Sequence, residues 1–387
     1  MPRRRTTALS VCLVAVAAIA LVACGPPPEP APKYDHNDPI TLGNGGVPGN
    51  ASAIAASVSA DGRWTAFRSS ASNLVPGDTN GVADTFVRDN RTGHVTRIAE
   101  HTADAPMISR NGRYVGLKFA DGSTYGVHDR STGTTTTWTG PTNLSVPVLT
   151  DDGTRALYGA GPSLGIFPSY CRVRDLATGT ETDCPWGPAD FGTVGLVGLS
   201  GNGRFAMYHW FDQSGTGTSG YYLWDIETGE QTRLEGDIVT LGVINVVSDD
   251  GSTIVTAGLT ETVPPRIHDV ATGTSEAFPT EPEGMLMPTG ISPDGRWIAA
   301  VSDAPNLVPD DTNGTVDMFL LDRSDGSLSR VSLAFDTGAQ LELGALNCGK
   351  HAGQVLDGGR VCLLAGDEIS PADDNGVADA FLTPARS

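Results

Sequence analysis

The chain reads as an all-β protein: a seven-bladed β-propeller of four-stranded antiparallel blades, closed by an N-terminal strand that joins the last blade. Two repeating turns and the composition predict it. The first turn recurs as SADGRW at 59, SRNGRY at 109, TDDGTR at 150, SGNGRF at 200, SDDGST at 248, SPDGRW at 292 and, in altered form, LDGGRV at 356. The second follows the first six copies, as DNRTG at 89, DRSTG at 129, DLATG at 175, DIETG at 225, DVATG at 269 and DRSDG at 322. The 48 glycines and 26 prolines among 387 residues interrupt helices and populate tight turns, which favours many short strands.

Successive first turns lie 50, 41, 50, 48, 44 and about 64 residues apart, the period of propeller blades rather than of short solenoid repeats. Each copy separates two apolar runs, such as Ala55 to Val58 and Trp64 to Phe67, so each is a hairpin whose glycine takes a positive φ. The second turn is the hairpin between the third and fourth strands. Its aspartate can bond backbone amides within the turn, which gives all six copies a structural role. Thr154 and Ser252 replace the arginine of the first turn in blades three and five. The last copy ends at Phe381-Leu382-Thr383 without a second turn, leaving an open edge that would pair with other chains. Residues 39 to 42 are expected to supply the missing strand.

Together the two turns resemble the WD-like repeats of TolB-type propellers, over residues 40 to 387. The resemblance implies the fold and, more loosely, protein partners at the cell envelope. TolB itself is soluble in the periplasm, so its translocation role does not carry over to a lipidated chain.

The N-terminus explains why lipidation is expected. Arg3, Arg4 and Arg5 precede an apolar stretch from Ala8 to Val22, and Leu21-Val22-Ala23-Cys24 looks like a lipobox. The apolar run is shorter than the roughly 20 residues a spanning helix needs. Residues 1-23 are therefore expected to be a lipoprotein signal peptide and Cys24 the lipidated residue. Residues 24-38 are proline-rich and read as a stalk, on the order of 40 Å if fully extended. Residues 39-387 form the propeller. The expected location is the outer face of the cytoplasmic membrane, or the outer membrane where there is one.

The formal charge of −20 becomes −23 without the leader, with 22 basic against 45 acidic residues. Such a surface repels phosphate backbones, which argues against nucleic acid and favours cations or basic partners. Of the six cysteines, Cys12 lies in the leader and Cys24 takes the lipid. Cys171 and Cys184 flank the DLATG turn, and Cys348 and Cys362 flank the blade-seven turn. Two local disulfides, 171 with 184 and 348 with 362, are the expected pairing in an oxidising compartment.

Chemistry is harder to find. There is no G-x-S-x-G and no H-E-x-x-H, and the seven histidines show no metal spacing. The predicted innermost strands carry almost no titratable groups, so catalysis in the channel is disfavoured. The most suggestive feature is a loop ending in D-x-N-G-x-x-D in three blades, with Asp78, Asn80 and Asp84, with Asp311, Asn313 and Asp317, and with Asp373, Asn375 and Asp379. These hard oxygen donors match part of a calcium loop but lack the closing glutamate of an EF-hand; the other reading is a turn stapled by Asx hydrogen bonds. The three blades are one, six and seven, contiguous once the ring closes, so the acidic loops are expected to crowd one sector as the binding surface. The function expected is a monomeric binding or scaffold propeller with an envelope or extracellular protein as partner. A carbohydrate-active lyase or hydrolase is the alternative.

Overall fold

The computed structural model describes residues 38–140, 146–164, 167–185, 192–212, 219–234, 246–256, 265–309, 311–332, 354–365 and 379–383. The expected signal peptide, Cys24, all of the expected stalk but residue 38, Cys348, Asp373, Asn375 and residues 333–351 lie outside these residues.

Six four-stranded antiparallel sheets follow one another along the chain. The first contains Ala53–Val58, Trp64–Ser69, Asp84–Asp89 and His94–Ala99. The second contains Met107–Ile108, Tyr114–Lys118, Thr124–Asp129 and Thr134–Thr139. The third is built from Val148–Leu149, Arg155–Leu164, Phe167–Asp175 and Glu181–Asp183, and the fourth from Gly192–Leu199, Phe205–Asp212, Gly220–Asp225 and Gln231–Arg233. Val246–Val247, Thr253–Thr256, Arg266–Asp269 and Thr274–Ala277 make the fifth, and Leu286–Ile291, Trp297–Ser302, Asp317–Asp322 and Ser327–Arg330 the sixth.

A seventh sheet has three strands, Cys362–Ala365, Asp379–Leu382 and Asp38–Pro39. Asp38 pairs with Leu382 and Pro39 with Phe381, and the Ile40 amide donates to the Ala380 carbonyl at 2.8 Å. The strand expected from residues 39 to 42 thus begins one residue earlier. Its second half continues as side-chain contact: Thr41 Oγ1 accepts from the Ala380 amide, and Ile40 and Leu42 are buried. Val355 bridges Val361 at the inner edge of this sheet.

Neighbouring sheets are joined by apolar clusters. Ala66 and Val87 of the first sheet meet Val115 and Leu117 of the second, and Tyr125 and Trp138 of the second meet Tyr158 of the third. Leu157, Cys171 and Val173 meet Trp210 and Trp224, and Met207 and Leu223 meet Ile254. Val255 and Ile267 meet Ile298 and Phe319, and Trp297 and Leu320 meet Val355 and Val361. A further cluster joins Leu356, Cys362 and Ala380 of the seventh sheet to Phe67 and Phe86 of the first. Each large side chain buried in this way contributes about 1.5–3 kcal/mol.

The repeated turns explain how the sheets are held in register. Ser59 Oγ donates to Asp61 Oδ1 and accepts from the Trp64 amide, and Asp61 Oδ1 accepts from the Arg63 amide. The turn glycine then meets the preceding sheet. Gly112 has φ 71°, and a Cβ there would lie 2.5 Å from the Trp64 ring, so both conformation and space demand glycine. The arginine of the first turn bonds the aspartate of the second turn in the same sheet: Arg63 with Asp89, Arg113 with Asp129, Arg204 with Asp225 and Arg296 with Asp322, at 2.6–3.3 Å. Each also lies over the aromatic ring that follows it. Thr154 and Ser252 lack a guanidinium, so the third and fifth sheets have no such pair.

Cys171 and Cys184 form a disulfide between adjacent strands of the third sheet, with Cα atoms 5.2 Å apart. Cys362 is disulfide-bonded as well, and Cys348 lies outside the described residues.

Candidate functional site

The D-x-N-G-x-x-D loops come first, because the sequence singles them out. In the first sheet Arg97 Nη1 lies 3.2 Å from Asp78 Oδ1 and 3.0 Å from Asp84 Oδ2. Asn80 Nδ2 donates to Asp84 Oδ2 at 2.8 Å, and its Oδ1 accepts from the Val82 amide. The sixth sheet repeats the arrangement, with Arg330 Nη1 at 3.2 Å from Asp311 and 3.4 Å from Asp317, and Asn313 accepting from the Thr315 amide. A guanidinium therefore stands between the carboxylates where a calcium loop would hold its ion, and the asparagine staples the turn. Among the described residues no group of three His, Cys, Asp or Glu is placed to hold a metal ion.

The preceding N-L-V-P segment is structural too. Asn73 accepts from the Asn50 amide and donates to the Pro48 carbonyl; Asn306 does the same with Glu283 and Glu281. Leu74 and Leu307 are buried beneath. In the seventh sheet Pro39 sits opposite Phe381, the place that Arg97 takes opposite Phe86 and Arg330 opposite Phe319. Asp379, the last aspartate of the third loop, begins its strand as Asp84 and Asp317 do. Its outer strand supplies no arginine there.

His128 and His268 are buried strand residues. His128 Nδ1 lies 2.9 Å from Thr135 Oγ1, His268 Nε2 lies 2.8 Å from Thr256 Oγ1, and burial pushes both imidazoles below their usual range.

A second constellation is formed by residues that look like filler, the second position of each first turn, after a serine or threonine in six copies and after Leu356 in the last: Ala60, Arg110, Asp151, Gly201, Asp249, Pro293 and Asp357. Backbone bonds link these turns in series. The Ala60 amide donates to the Arg110 carbonyl, Asp151 to Gly201, Asn202 to Asp249, Asp249 to Pro293, and Asp357 to Ala60, at 2.8–3.2 Å. The Arg110 amide donates instead to Asp151 Oδ1 at 3.0 Å. Pro293 has no N–H, so it donates nothing toward the seventh sheet. Arg110 spans that seam: Nη2 donates to the Ile291 carbonyl at 3.4 Å and Nη1 to the Val355 carbonyl at 3.3 Å, while Nε lies 2.6 Å from Asp249 Oδ1. One side chain from the second sheet thus reaches the fifth, sixth and seventh.

Three carboxylates share this one arginine. Loss of hydration pushes the Asp249 carboxyl up to about 6; the charges of Asp151 and Asp357 push the same way, and Arg110 opposes them. Asp151 is raised by burial against the pull of Arg110. Asp357, the most open of the three, is raised by partial loss of hydration, with Asp294 and Asp61 adding to it. Gly201 keeps the group together, since a Cβ there would lie 2.6 Å from Asp151 Oδ2 and 2.9 Å from Asp249 Cγ.

No family model matches the chain, and no curated protein matches its sequence. Solved structures do match its fold. An oligogalacturonate lyase in complex with manganese aligns over 91% of this chain and 96% of its own, at 14% identity and a TM-score of 0.59. The β-propeller domain of Cps50 (Swd1) from Myceliophteria thermophila aligns over 89% of this chain and 98% of its own, at 12% identity and a TM-score of 0.55. The chain is a β-propeller. TolB from Acinetobacter baumannii aligns over 67% of this chain and 61% of its own, at 15% identity and a TM-score of 0.43. In a propeller the first strand of each blade faces the central channel, so the turns that end those strands surround its mouth. Arg110 and the three aspartates therefore stand at the mouth. They belong to four different blades, and the one sequence signal for them is that their position varies inside an otherwise constant turn.

Proposed function

We propose that the protein is an exported, lipid-anchored propeller that binds a protein partner at the cell envelope, through a basic group presented to the channel mouth. The observation that carries this reading is the charge imbalance there: Asp151, Asp249 and Asp357 surround the single arginine Arg110, on turns linked by five backbone bonds. Rigid turns with unbalanced charge favour a cationic partner and speed its approach. The Cys171–Cys184 disulfide and the leader with Cys24 support an extracytoplasmic location. We further propose seven blades in a closed ring. This is supported by the apolar cluster and the Asp357-to-Ala60 bond between the seventh and first sheets, and by Gln354, whose side-chain amide bonds both the amide and the carbonyl of Val58.

Calcium is proposed only for the third loop, with Asp379 and the undescribed Asp373 and Asn375, because Pro39 replaces the arginine there. The alternative activity, a glycan lyase or hydrolase, takes some support from the oligogalacturonate lyase among the similar folds. Its polyanionic kind of substrate is disfavoured by a mouth with excess carboxylate and a chain of charge −20.

The test is capture from native envelopes with the wild-type protein and with an Asp151→Asn, Asp249→Asn, Asp357→Asn triple variant. A partner retained by the wild type, lost from the variant and released by salt supports the mouth as the binding site. Equal retention on both proteins overturns it. A Cys24→Ala variant is expected to leave the membrane fraction.

A further inference from the structure

We propose that Asp151 and Asp249, facing each other across Gly201, form a proton-operated clasp that draws the third and fifth blades together over the fourth in mild acid. Both carboxyl groups lie against the same glycine Cα, within 3 Å of where its Cβ would be. One oxygen of each is engaged by Arg110, Asp151 Oδ1 by the backbone amide and Asp249 Oδ1 by Nε. Among the described residues the other oxygen of each has no hydrogen bond. At neutral pH two carboxylates therefore repel across a glycine. One proton taken from solvent by Asp249 turns the repelling pair into an acid and a carboxylate, and the new O–H can donate to Asp151 Oδ2. Two carboxyl groups sharing a site hold one proton above the usual carboxylate range for this reason.

Arg110 faces the pair from the second blade and Asp357 from the seventh, Asp152 stands beside Asp151 on its own turn, and beyond Asp357 stand Asp294 of the sixth and Asp61 of the first. Gly201 and Pro293 bring no charge. Arg110 opposes protonation, whereas the aspartates favour it. The direction of the effect follows from linkage. Asp249 titrates higher in the folded chain, about 6, than an unfolded aspartate does, about 4, so the folded state holds the extra proton between these values. The contribution to stability is complete below the lower value and is lost as pH rises through the upper one. The clasp needs no partner, so it stands or falls apart from the binding reading.

The experiment is a carboxyl-carbon NMR titration of the full chain, followed by thermal unfolding at several pH values. The Asp249 signal is expected to titrate near pH 6 and to move toward the ordinary aspartate range in Asp151→Asn, which removes the like charge. The wild type is expected to gain Tm relative to Asp249→Asn on going from pH 7.5 to 5.5; this comparison cancels the general relief of surface repulsion. An Asp249 midpoint near 4, a midpoint unmoved by Asp151→Asn, or parallel Tm profiles would each overturn the clasp. If Asp151→Asn does not fold, the wild-type Asp151 carboxyl signal decides: it is expected to shift in step with the protonation of Asp249, and an Asp151 signal indifferent to that step overturns the clasp.

Discussion

The loops of blades one and six and the mouth of the channel use the same residues to opposite ends. In each loop two buried aspartates share one arginine, and the second of them is met further from within: Asn80 and the His101 amide bond Asp84, and Ser332 bonds Asp317. At the mouth three half-open aspartates share one arginine, and that arginine also serves two carbonyls in other blades. The difference teaches that an acidic motif points to function where its carboxylates stay partly open to solvent, not simply where they outnumber their arginine. In the loops the aspartates are buried against the guanidinium and build structure. At the mouth loss of hydration, with neighbouring like charges adding to it, raises the Asp249 carboxyl to about 6.

The largest effect is expected from breaking the loop side of this contrast. Arg330 is 8% exposed and its partners Asp311 and Asp317 are 3% and 0% exposed, so Arg330→Ala strands two buried carboxylates. Removing one member of a buried ion pair costs about 3–5 kcal/mol, and urea unfolding should show a loss in that range. Arg97→Ala should cost less, about 2–3 kcal/mol, because Arg97 is 23% exposed and water can take part of its place. A loss below about 1 kcal/mol in both would mean that the loops are not built around their arginines.

How much of this was legible beforehand depends on how far apart the partners lie in the chain. The seven first turns and the six second turns are local patterns, and the sheets follow them; the strand at residues 38 and 39, which pairs with residues 381 and 382, is the long-range exception, legible because the last repeat lacks its fourth strand. The local pairing of Cys171 with Cys184 was legible for the same reason. Arg97 and Arg330 were missed although each lies thirteen residues after the aspartate it clamps, Asp84 and Asp317, because they stand on the outer strand beyond the second turn. The mouth was further out of reach. Arg110 meets Asp249 across 139 positions and Val355 across 245, and only the curvature of successive blades brings them together. The predicted inner strands did look free of charge; the titratable groups are on the turns that end them.

The seventh sheet sharpens the comparison, because there the loop sequence persists while Pro39 stands where the arginine would be. Millimolar calcium is expected to raise the Tm of the wild type by binding the folded state, an effect on the order of 1–3 kcal/mol for ligand in 10- to 100-fold excess over its Kd. Asp379→Asn should abolish the rise, and Pro39→Arg should make calcium unnecessary. A wild-type Tm indifferent to calcium and to chelator would leave the third loop a stapled turn like the other two.

The smallest effect belongs to the outer turns, where an arginine and an aspartate pair one to one with water on both sides. Arg113 and Arg204 hold Asp129 and Asp225 at 2.7 Å, yet both arginines are 47% exposed. The guanidinium of Arg113 and the turn hydrogen bonds hold the Asp129 carboxyl well below the usual carboxylate range, so its contribution is present at neutral pH and lost only in strong acid. Blades three and five already fold with Thr154 and Ser252 in place of the arginine, and the turn in blade three keeps its geometry because the Ala177 and Thr178 amides still bond Asp175. Arg113→Thr and Arg204→Ser should therefore leave Tm at pH 7 almost unchanged, with any difference vanishing in high salt. A substantial loss would show that an exposed pair of matched charge matters as much as a buried one, and the distinction between loop, mouth and outer turn would then rest on position rather than on exposure.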